Sequence, residues 1–374
     1  MDQILKYFLV KISFFILLLL LDSCVEPFSP PEVNSDVQYL VVDGFLNIGS
    51  DSSRISLSHT QNATASEAVL NETNAVITAE EENGEIYSFT EQGNGSYILP
   101  PQNFKIASKY RLRIKTKNGK EYLSDYVEVK NTPPIDSVAY RYDGRQDGVT
   151  MFVNTHDASN QTRFYRWKFE ETWEYRSAFY SSLEVVDKNI ISRRGEINTC
   201  WRTIKSGNIL LGSTIKLSQD IIRDVPLTTV PVSSNKLYVK YSLLVKQYGL
   251  TQDAFEYWTS LAKTTEGTGS LFDPLPSQVT GNIKSTTNAK ELVFGYFSAS
   301  VEQKKRIFAT PGLGTFPRCP MPDTLIIEDA KLTTSGTYLL NYTGTRPDSV
   351  LISSAYCADC RSQGGTTIKP SFWK

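Results

Sequence analysis

Histidine is scarce in this chain, with only two among its 374 residues. Histidine is the commonest general base and a frequent zinc ligand, so little histidine-based acid–base or metal chemistry is expected. Basic residues are not in excess either, because 39 Lys and Arg face 40 Asp and Glu. Without surplus positive charge to displace counterions, nucleic-acid binding is not expected. The sequence indicates neither a metal site nor a cofactor.

Long hydrophobic runs are missing after residue 24, which argues against a transmembrane helix in that part of the chain. The composition is otherwise ordinary, with 40% hydrophobic, 21% charged and 11% aromatic residues. These values exclude a disordered, collagen-like or coiled-coil chain. At ~150 residues per domain, the length allows two domains or one large β unit.

The amino-terminal segment has the features of a signal peptide. Lys6 and Lys11 supply positive charge, and the apolar run at 12–21 is interrupted only by Ser13. As a helix this run would be only ~15 Å long, about half the thickness of a bilayer core. A run of this length is typical of a signal-peptide hydrophobic region.

The four residues that end at Cys24, Leu-Asp-Ser-Cys, resemble a bacterial lipobox. The resemblance implies a signal peptide at 1–23 and a fatty-acylated tether, with palmitate among the expected acyl groups, at 24–36. Val25 stands where inner-membrane lipoproteins commonly have Asp, which favours the outer membrane and leaves its face undecided. A simply secreted protein and a retained signal anchor are the alternatives.

Four cysteines remain if Cys24 is lipidated. An even number in an oxidising compartment predicts two structural disulfides, with three possible connectivities. The Cys-Ala-Asp-Cys motif would alternatively be a redox pair or half of a zinc site, but it lacks a following helix and a second close cysteine pair. The predicted disulfide cysteines are Cys200, Cys319, Cys357 and Cys360.

The chain is predicted to be all-β, with one or two short helices. Residues 37–130 contain about seven short strand-like runs separated by turn signals, which predicts an immunoglobulin-like sandwich. Asn118-Gly119 is a strong hairpin signal between two such runs. Tyr110 precedes the apolar Leu112 by two residues, as in a tyrosine corner, although a plain alternating strand explains the pattern equally well.

A larger β-sandwich-like domain is predicted at 135–374, after the stiff Pro133-Pro134 boundary. Apolar and polar residues alternate along 163–176, which predicts a half-buried antiparallel strand. A helical insertion is predicted near 251–263, with Thr251 as its N-cap.

Glu171 is the candidate ligand-binding residue. It shares a strand face with Phe169 and Trp173, and a carboxylate there is unfavourable unless it is paired. A ligand-binding acid with a raised pKa is one interpretation, and a buried salt bridge, a bulge or a strand end is the other. His156-Asp157 is interpreted as a solvated turn, because no nucleophile elbow accompanies it.

Four passages resemble the Bacteroidota lipoproteins grouped as domain-of-unknown-function family 4249. They are Tyr39-Leu-Val-Val-Asp-Gly-Phe45; Tyr165-Arg-Trp-Lys-Phe-Glu-Glu-Thr-Trp-Glu174; Leu271-Phe-Asp-Pro-Leu-Pro-Ser-Gln-Val-Thr-Gly-Asn-Ile283 with Gly295-Tyr-Phe-Ser-Ala-Ser300; and Cys357-Ala-Asp-Cys-Arg-Ser-Gln-Gly-Gly-Thr-Thr-Ile-Lys-Pro-Ser-Phe-Trp373. The resemblance implies an outer-membrane lipoprotein, often encoded beside a TonB-dependent receptor, with no catalytic residues to transfer.

The sequence therefore predicts a non-enzymatic lipoprotein of the outer membrane and cell envelope. Its expected role is as an accessory to a TonB-dependent receptor, in nutrient uptake or in stabilising the complex. A lipoprotein that binds a glycan or peptide directly is the alternative, and an envelope hydrolase is a third class.

Overall fold

A computed structural model describes residues 38–61, 68–144, 147–265, 279–310, 312–315, 318–332, 336–344 and 348–374. The predicted signal peptide (1–23) and tether (24–36), including Cys24, lie outside these residues. From Tyr39 onward, the described residues belong to one compact unit. None of the helices in these ranges is both long and apolar enough to cross a membrane.

The described residues are mainly β, which confirms the predicted fold class. The first nine strands are β1 (Leu40–Asn47), β2 (Ser53–His59), β3 (Val76–Glu81), β4 (Ile86–Ser88), β5 (Thr90–Gly93), β6 (Ser96–Leu99), β7 (Lys109–Lys115), β8 (Glu121–Ser124) and β9 (Val127–Lys130). The next nine are β10 (Ile135–Asp143), β11 (Gly148–Asp157), β12 (Phe164–Arg176), β13 (Leu183–Val186), β14 (Asn189–Ser192), β15 (Thr199–Lys205), β16 (Leu210–Ser213), β17 (Asp220–Pro231) and β18 (Lys240–Gly249). The last six are β19 (Ile283–Ser285), β20 (Val293–Ser300), β21 (Gln303–Ala309), β22 (Asp323–Ile326), β23 (Thr337–Tyr342) and β24 (Ser349–Ser354).

Helices are short and few in the same residues. They are α1 (Gln252–Thr265), α2 (Ile327–Ala330) and α3 (Ala355–Ala358), followed by a 3₁₀ turn at Cys360–Gln363. The helix predicted near 251–263 corresponds to α1, and Thr251 caps it as expected, because its Oγ1 accepts a hydrogen bond from the Ala254 amide at 3.2 Å.

The first sheet has 11 strands in the order β19-β8-β7-β9-β20-β1-β2-β6-β5, with β3 and β4 joined through β7. Two of these strands, β19 and β20, come from beyond residue 280 and therefore lie outside the predicted 37–130 range. β20 pairs in parallel with β1 along its whole length and also with β9. Six of its eight residues are buried, as expected for a strand inside a sheet and covered on both faces.

Gly295 allows β20 to approach β1 closely. Its φ is +116°, and a Cβ at this position would lie 1.9 Å from the carbonyl oxygen of Val42. Any other residue would therefore meet both backbone strain and a clash. The close approach gives a physical reason for glycine at the start of the Gly295-Tyr-Phe-Ser-Ala-Ser300 passage.

Tyr110 has the geometry of a tyrosine corner. Its hydroxyl accepts a hydrogen bond from the Lys105 amide at 2.8 Å and donates one to the Lys105 carbonyl at 3.1 Å. Its ring is fully buried beside Leu112 in the core of the first sheet. This link to backbone a few residues upstream favours the corner interpretation over a plain strand.

The rest of the chain forms several smaller sheets. Their strand orders are β10-β11-β17, β15-β12-β18-β21 with β16 also on β12, β13-β14, and β22-β24-β23. Along β12 the side chains alternate as predicted, because Tyr165, Trp167 and Phe169 are buried in a core while their neighbours lie on the opposite face.

The four remaining cysteines form two disulfides, as predicted. Cys200 pairs with Cys360, and Cys319 pairs with Cys357, with Cα–Cα distances of 5.7 and 5.9 Å. This selects one of the three possible connectivities. The two cysteines of the Cys-Ala-Asp-Cys motif have different partners, so the motif is neither an internal redox disulfide nor a pair of thiols available to zinc.

Candidate functional site

A cleft of about 510 Å³ lies between the first sheet and the face of β12 opposite its core. This volume is within the range of small-molecule binding sites. Residues of β1, β2, β12, β18 and β20 contribute to its walls. The lining contains six basic and four acidic side chains: Arg54, Arg166, Lys168, Lys205, Lys246, Lys304, Asp43, Asp51, Glu170 and Glu302.

All four acids are within ion-pair distance of a lysine, and for three of them that lysine is Lys246 or Lys304. Glu170 accepts a hydrogen bond from Lys246 at 2.6 Å, while Lys304 lies 2.8 Å from Glu302 and 3.0 Å from Asp51. Burial alone would raise the pKa of Glu170, but the hydrogen bond and charge of Lys246 outweigh it and hold that pKa below its usual value. Lys246 and Lys304 therefore offset most of the negative charge of these three carboxylates.

Arg166 has no carboxylate partner of this kind, and it is more buried than Arg54 and Lys205, the exposed cleft cations that also lack one. The guanidinium carbon lies 3.4 Å from the ring centroid of Trp258, on α1. Its Nε is buried without a hydrogen-bond partner, and no described carboxylate is within ion-pair distance of the guanidinium. Burial lowers the pKa of Arg166, although the charge of Asp43 partly opposes this. The indole thus orients a cation that the described chain does not neutralise.

Lys168 follows two positions after Arg166 and is therefore on the same face of β12. Its Nζ is 3.4 Å from Asp43 Oδ2. Burial lowers the pKa of Lys168, Asp43 opposes this, and the nearby Arg166 adds to the lowering. Two cations therefore face one carboxylate at this end of the cleft, which makes it suitable for binding negative charge.

Glu171 is part of a buried polar group on the core side of the same strand. Its Oε2 accepts a hydrogen bond from Lys236 Nζ at 2.9 Å, and its Oε1 accepts one from Tyr241 Oη at 2.7 Å. Burial and the adjacent carboxylate raise the pKa of Tyr241 well above its usual value, so the hydroxyl stays protonated and donates. Both carboxylate oxygens have partners within the chain, which favours the salt-bridge interpretation over a ligand-binding one.

His156 and Asp157 do not form a base–orienter pair. His156 Nδ1 lies 2.8 Å from Asp136 Oδ2, and this hydrogen bond and charge raise the pKa of His156. Asp157 instead accepts hydrogen bonds from backbone amides of the turn that follows, including those of Ser159 and Thr162. The two residues are the last of β11, so they end a strand and precede the turn, whereas the sequence interpretation placed them in the turn itself.

The cleft cations were not identified as site residues from the sequence. The alternation along β12 places Arg166 and Lys168 opposite the core, which is the usual position of solvated residues. The alternation of polar and apolar residues along one strand does not indicate whether another element covers its polar face. Here that element is α1, whose Trp258 contacts Arg166.

Comparison with known proteins gives one family. The family model described as Domain of unknown function (DUF4249) matches residues 25–306. The match includes the passages at 39–45, 165–174, 271–283 and 295–300, and it ends before the carboxy-terminal passage at 357–373. No curated protein matches the chain.

Proposed function

This chain belongs to the family described as Domain of unknown function (DUF4249), and because that description assigns no activity, we propose a function from the chain's own residues. The protein is an outer-membrane lipoprotein, anchored through acyl chains on Cys24. It acts as a non-catalytic accessory to a TonB-dependent receptor in nutrient uptake, and it holds a ligand in the cleft between its first sheet and β12.

The observation that carries this proposal is the charge arrangement in the cleft. Arg166 and Lys168 face a single carboxylate, Asp43, in a cavity large enough for a small molecule. The acids Glu170 and Glu302 are each held by a lysine, whereas a general acid or base must be free to exchange a proton. The arrangement therefore supports binding rather than hydrolysis.

The receptor part of the proposal is supported by the lipobox-like sequence at Cys24 and by the resemblance of the four passages. We expect the tagged lipoprotein, purified from native outer membranes in mild detergent, to bring down a TonB-dependent receptor in stoichiometric amount. Mass spectrometry of the eluate identifies the partner. Recovery of the lipoprotein alone from several detergents would contradict the accessory role.

A second candidate function is direct binding of a glycan or peptide without a receptor. The cleft supports this function as well, because its lining requires no partner chain. The same purification separates the two candidates, since a direct binder is recovered alone but still binds its ligand.

Cys24→Ala should remove the acyl chains and take the protein out of the outer-membrane fraction. Stable anchoring of this kind depends on buried acyl chains, each CH₂ contributing about 0.8 kcal/mol. Membrane fractionation and intact-mass measurement test this, with Val25→Ala as a control that keeps the cysteine. An unchanged mass together with unchanged fractionation would reject lipidation at Cys24.

A further inference from the structure

We propose that the cleft binds a small organic anion through a carboxylate or phosphate group, with Arg166 and Lys168 as its main charge partners. The inference rests on the proposed function, because it specifies the ligand of the same cleft. It does not depend on the membrane anchor or on a receptor.

The first step of the argument is the state of Arg166. No hydrogen bond joins its guanidinium to a described residue, and its Nε is buried without an acceptor. A buried donor that lacks an acceptor is unfavourable, and so is a partly desolvated charge that lacks a counter-ion. An anion bound in the cleft would supply the missing counter-charge.

The second step is preorganisation. Trp258 covers one face of the guanidinium at 3.4 Å and so limits the rotation of a normally mobile side chain. A planar guanidinium in a fixed orientation can bind the two oxygens of a carboxylate or phosphate together. The conformational entropy that an arginine side chain usually loses on binding is therefore already lost in the free protein.

The third step is the surplus of positive charge around Arg166. Asp51, Glu170 and Glu302 are within ion-pair distance of Lys246 or Lys304. Among the described residues, no carboxylate is within that distance of the remaining lining cations Arg54, Arg166 and Lys205, which leaves only the long Lys168–Asp43 contact. The cleft therefore presents net positive charge although the whole chain is nearly neutral.

The fourth step is size. The cavity of about 510 Å³ exceeds the needs of an inorganic ion, and Phe45 and Leu250 add apolar surface to its wall. A ligand with a carbon skeleton attached to its anionic group uses both features.

The test measures binding of three sugars that share one ring: glucuronate, glucose 6-phosphate and neutral glucose. The full-length acylated protein in mild detergent is titrated with each by calorimetry. We expect at least one of the two anionic sugars to bind and glucose not to bind. Tighter binding of glucuronate would indicate a carboxylate ligand, and tighter binding of glucose 6-phosphate a phosphate ligand. Binding that is equal for glucose, or absent for all three sugars, would overturn the inference.

Arg166→Gln should weaken binding of the anionic sugar about ten- to hundredfold, as expected for a lost charged hydrogen bond. The control Arg141→Gln removes an exposed arginine outside the cleft lining, paired with Asp224, and should leave affinity unchanged. An unchanged affinity in Arg166→Gln would reject the assignment.

Lys205→Gln provides a second test if Arg166→Gln does not fold. Lys205 is exposed at the cleft, so its replacement should not disturb the core, and it should weaken anion binding a fewfold. Affinity that is insensitive to this change and to salt would overturn the inference. Because no receptor is present in these titrations, their failure is distinguishable from a failure of the copurification experiment.

Discussion

Replacing Cys200 and Cys360 together by Ser should lower the free energy of unfolding by up to about 5 kcal/mol. The disulfide joins residues 160 positions apart, so it removes a large loop-closure entropy from the unfolded chain. Cys200 and Cys360 are both fully buried, and they belong to the core that contains Trp167. The double variant also places two hydroxyl groups in that core, which adds to the loss.

The second disulfide is the matched control for this prediction. Cys319 and Cys357 are 38 positions apart, for which the same entropy relation gives about 4 kcal/mol. Cys319 is only half-buried, so serine is better tolerated there. We therefore expect Cys319→Ser/Cys357→Ser to be destabilised, but less than Cys200→Ser/Cys360→Ser.

Urea unfolding of the two double variants and the parent protein measures the difference. Replacing both members of each pair avoids a free thiol that would form new disulfides. Equal losses in the two variants, or a larger loss for the Cys319–Cys357 pair, would contradict the order derived from loop length and burial.

The disulfides also illustrate how far the sequence determines the structure. An even cysteine count after Cys24 predicts two bridges, but connectivity depends on which elements meet in space. Cys360 is at the start of the 3₁₀ turn, and that turn packs against β15, which contains Cys200. The spacing of the cysteines along the chain does not indicate this contact.

Local patterns predicted local structure well. The alternation along 163–176 predicted β12, and the apolar stripe and threonine cap predicted α1, because both signals arise from neighbouring residues. The position of β20 is different, since it lies between β1 and β9 through parallel pairing with strands far away in the chain. Such pairing depends on tertiary packing and leaves no short-range pattern.

The cleft was missed for a related reason. The sequence identified Glu171 because a carboxylate interrupts an aromatic face, and such an interruption is visible in a strand pattern. Arg166 and Lys168 interrupt nothing, because basic residues are expected on the polar face of a strand. The structure alone shows that α1 and the first sheet cover that face.

Glu171→Ala should lower the free energy of unfolding by about 3 kcal/mol, near the lower end of the range for breaking a buried ion pair. The change leaves the Lys236 ammonium without its carboxylate and the fully buried Tyr241 hydroxyl without its acceptor. The Lys236 side chain is 24% exposed, so water can partly solvate its ammonium group once the carboxylate is removed. The expected loss is therefore near the lower end of that range.

Two control variants separate charge from hydrogen bonding in this group. Glu171→Gln keeps an oxygen that can accept from Tyr241 but removes the charge facing Lys236, so its loss should be intermediate. Glu170→Ala breaks the neighbouring Lys246 pair, in which both side chains are more than 20% exposed, and should cost about 1 kcal/mol. Urea unfolding of the three variants gives the order directly.

If Glu171→Ala kept full stability yet lost binding of the anionic sugar, Glu171 would be a ligand-binding residue. A carboxylate repels an anion, however, and both its oxygens have internal partners, so the expected result is lost stability with the cleft's affinity retained.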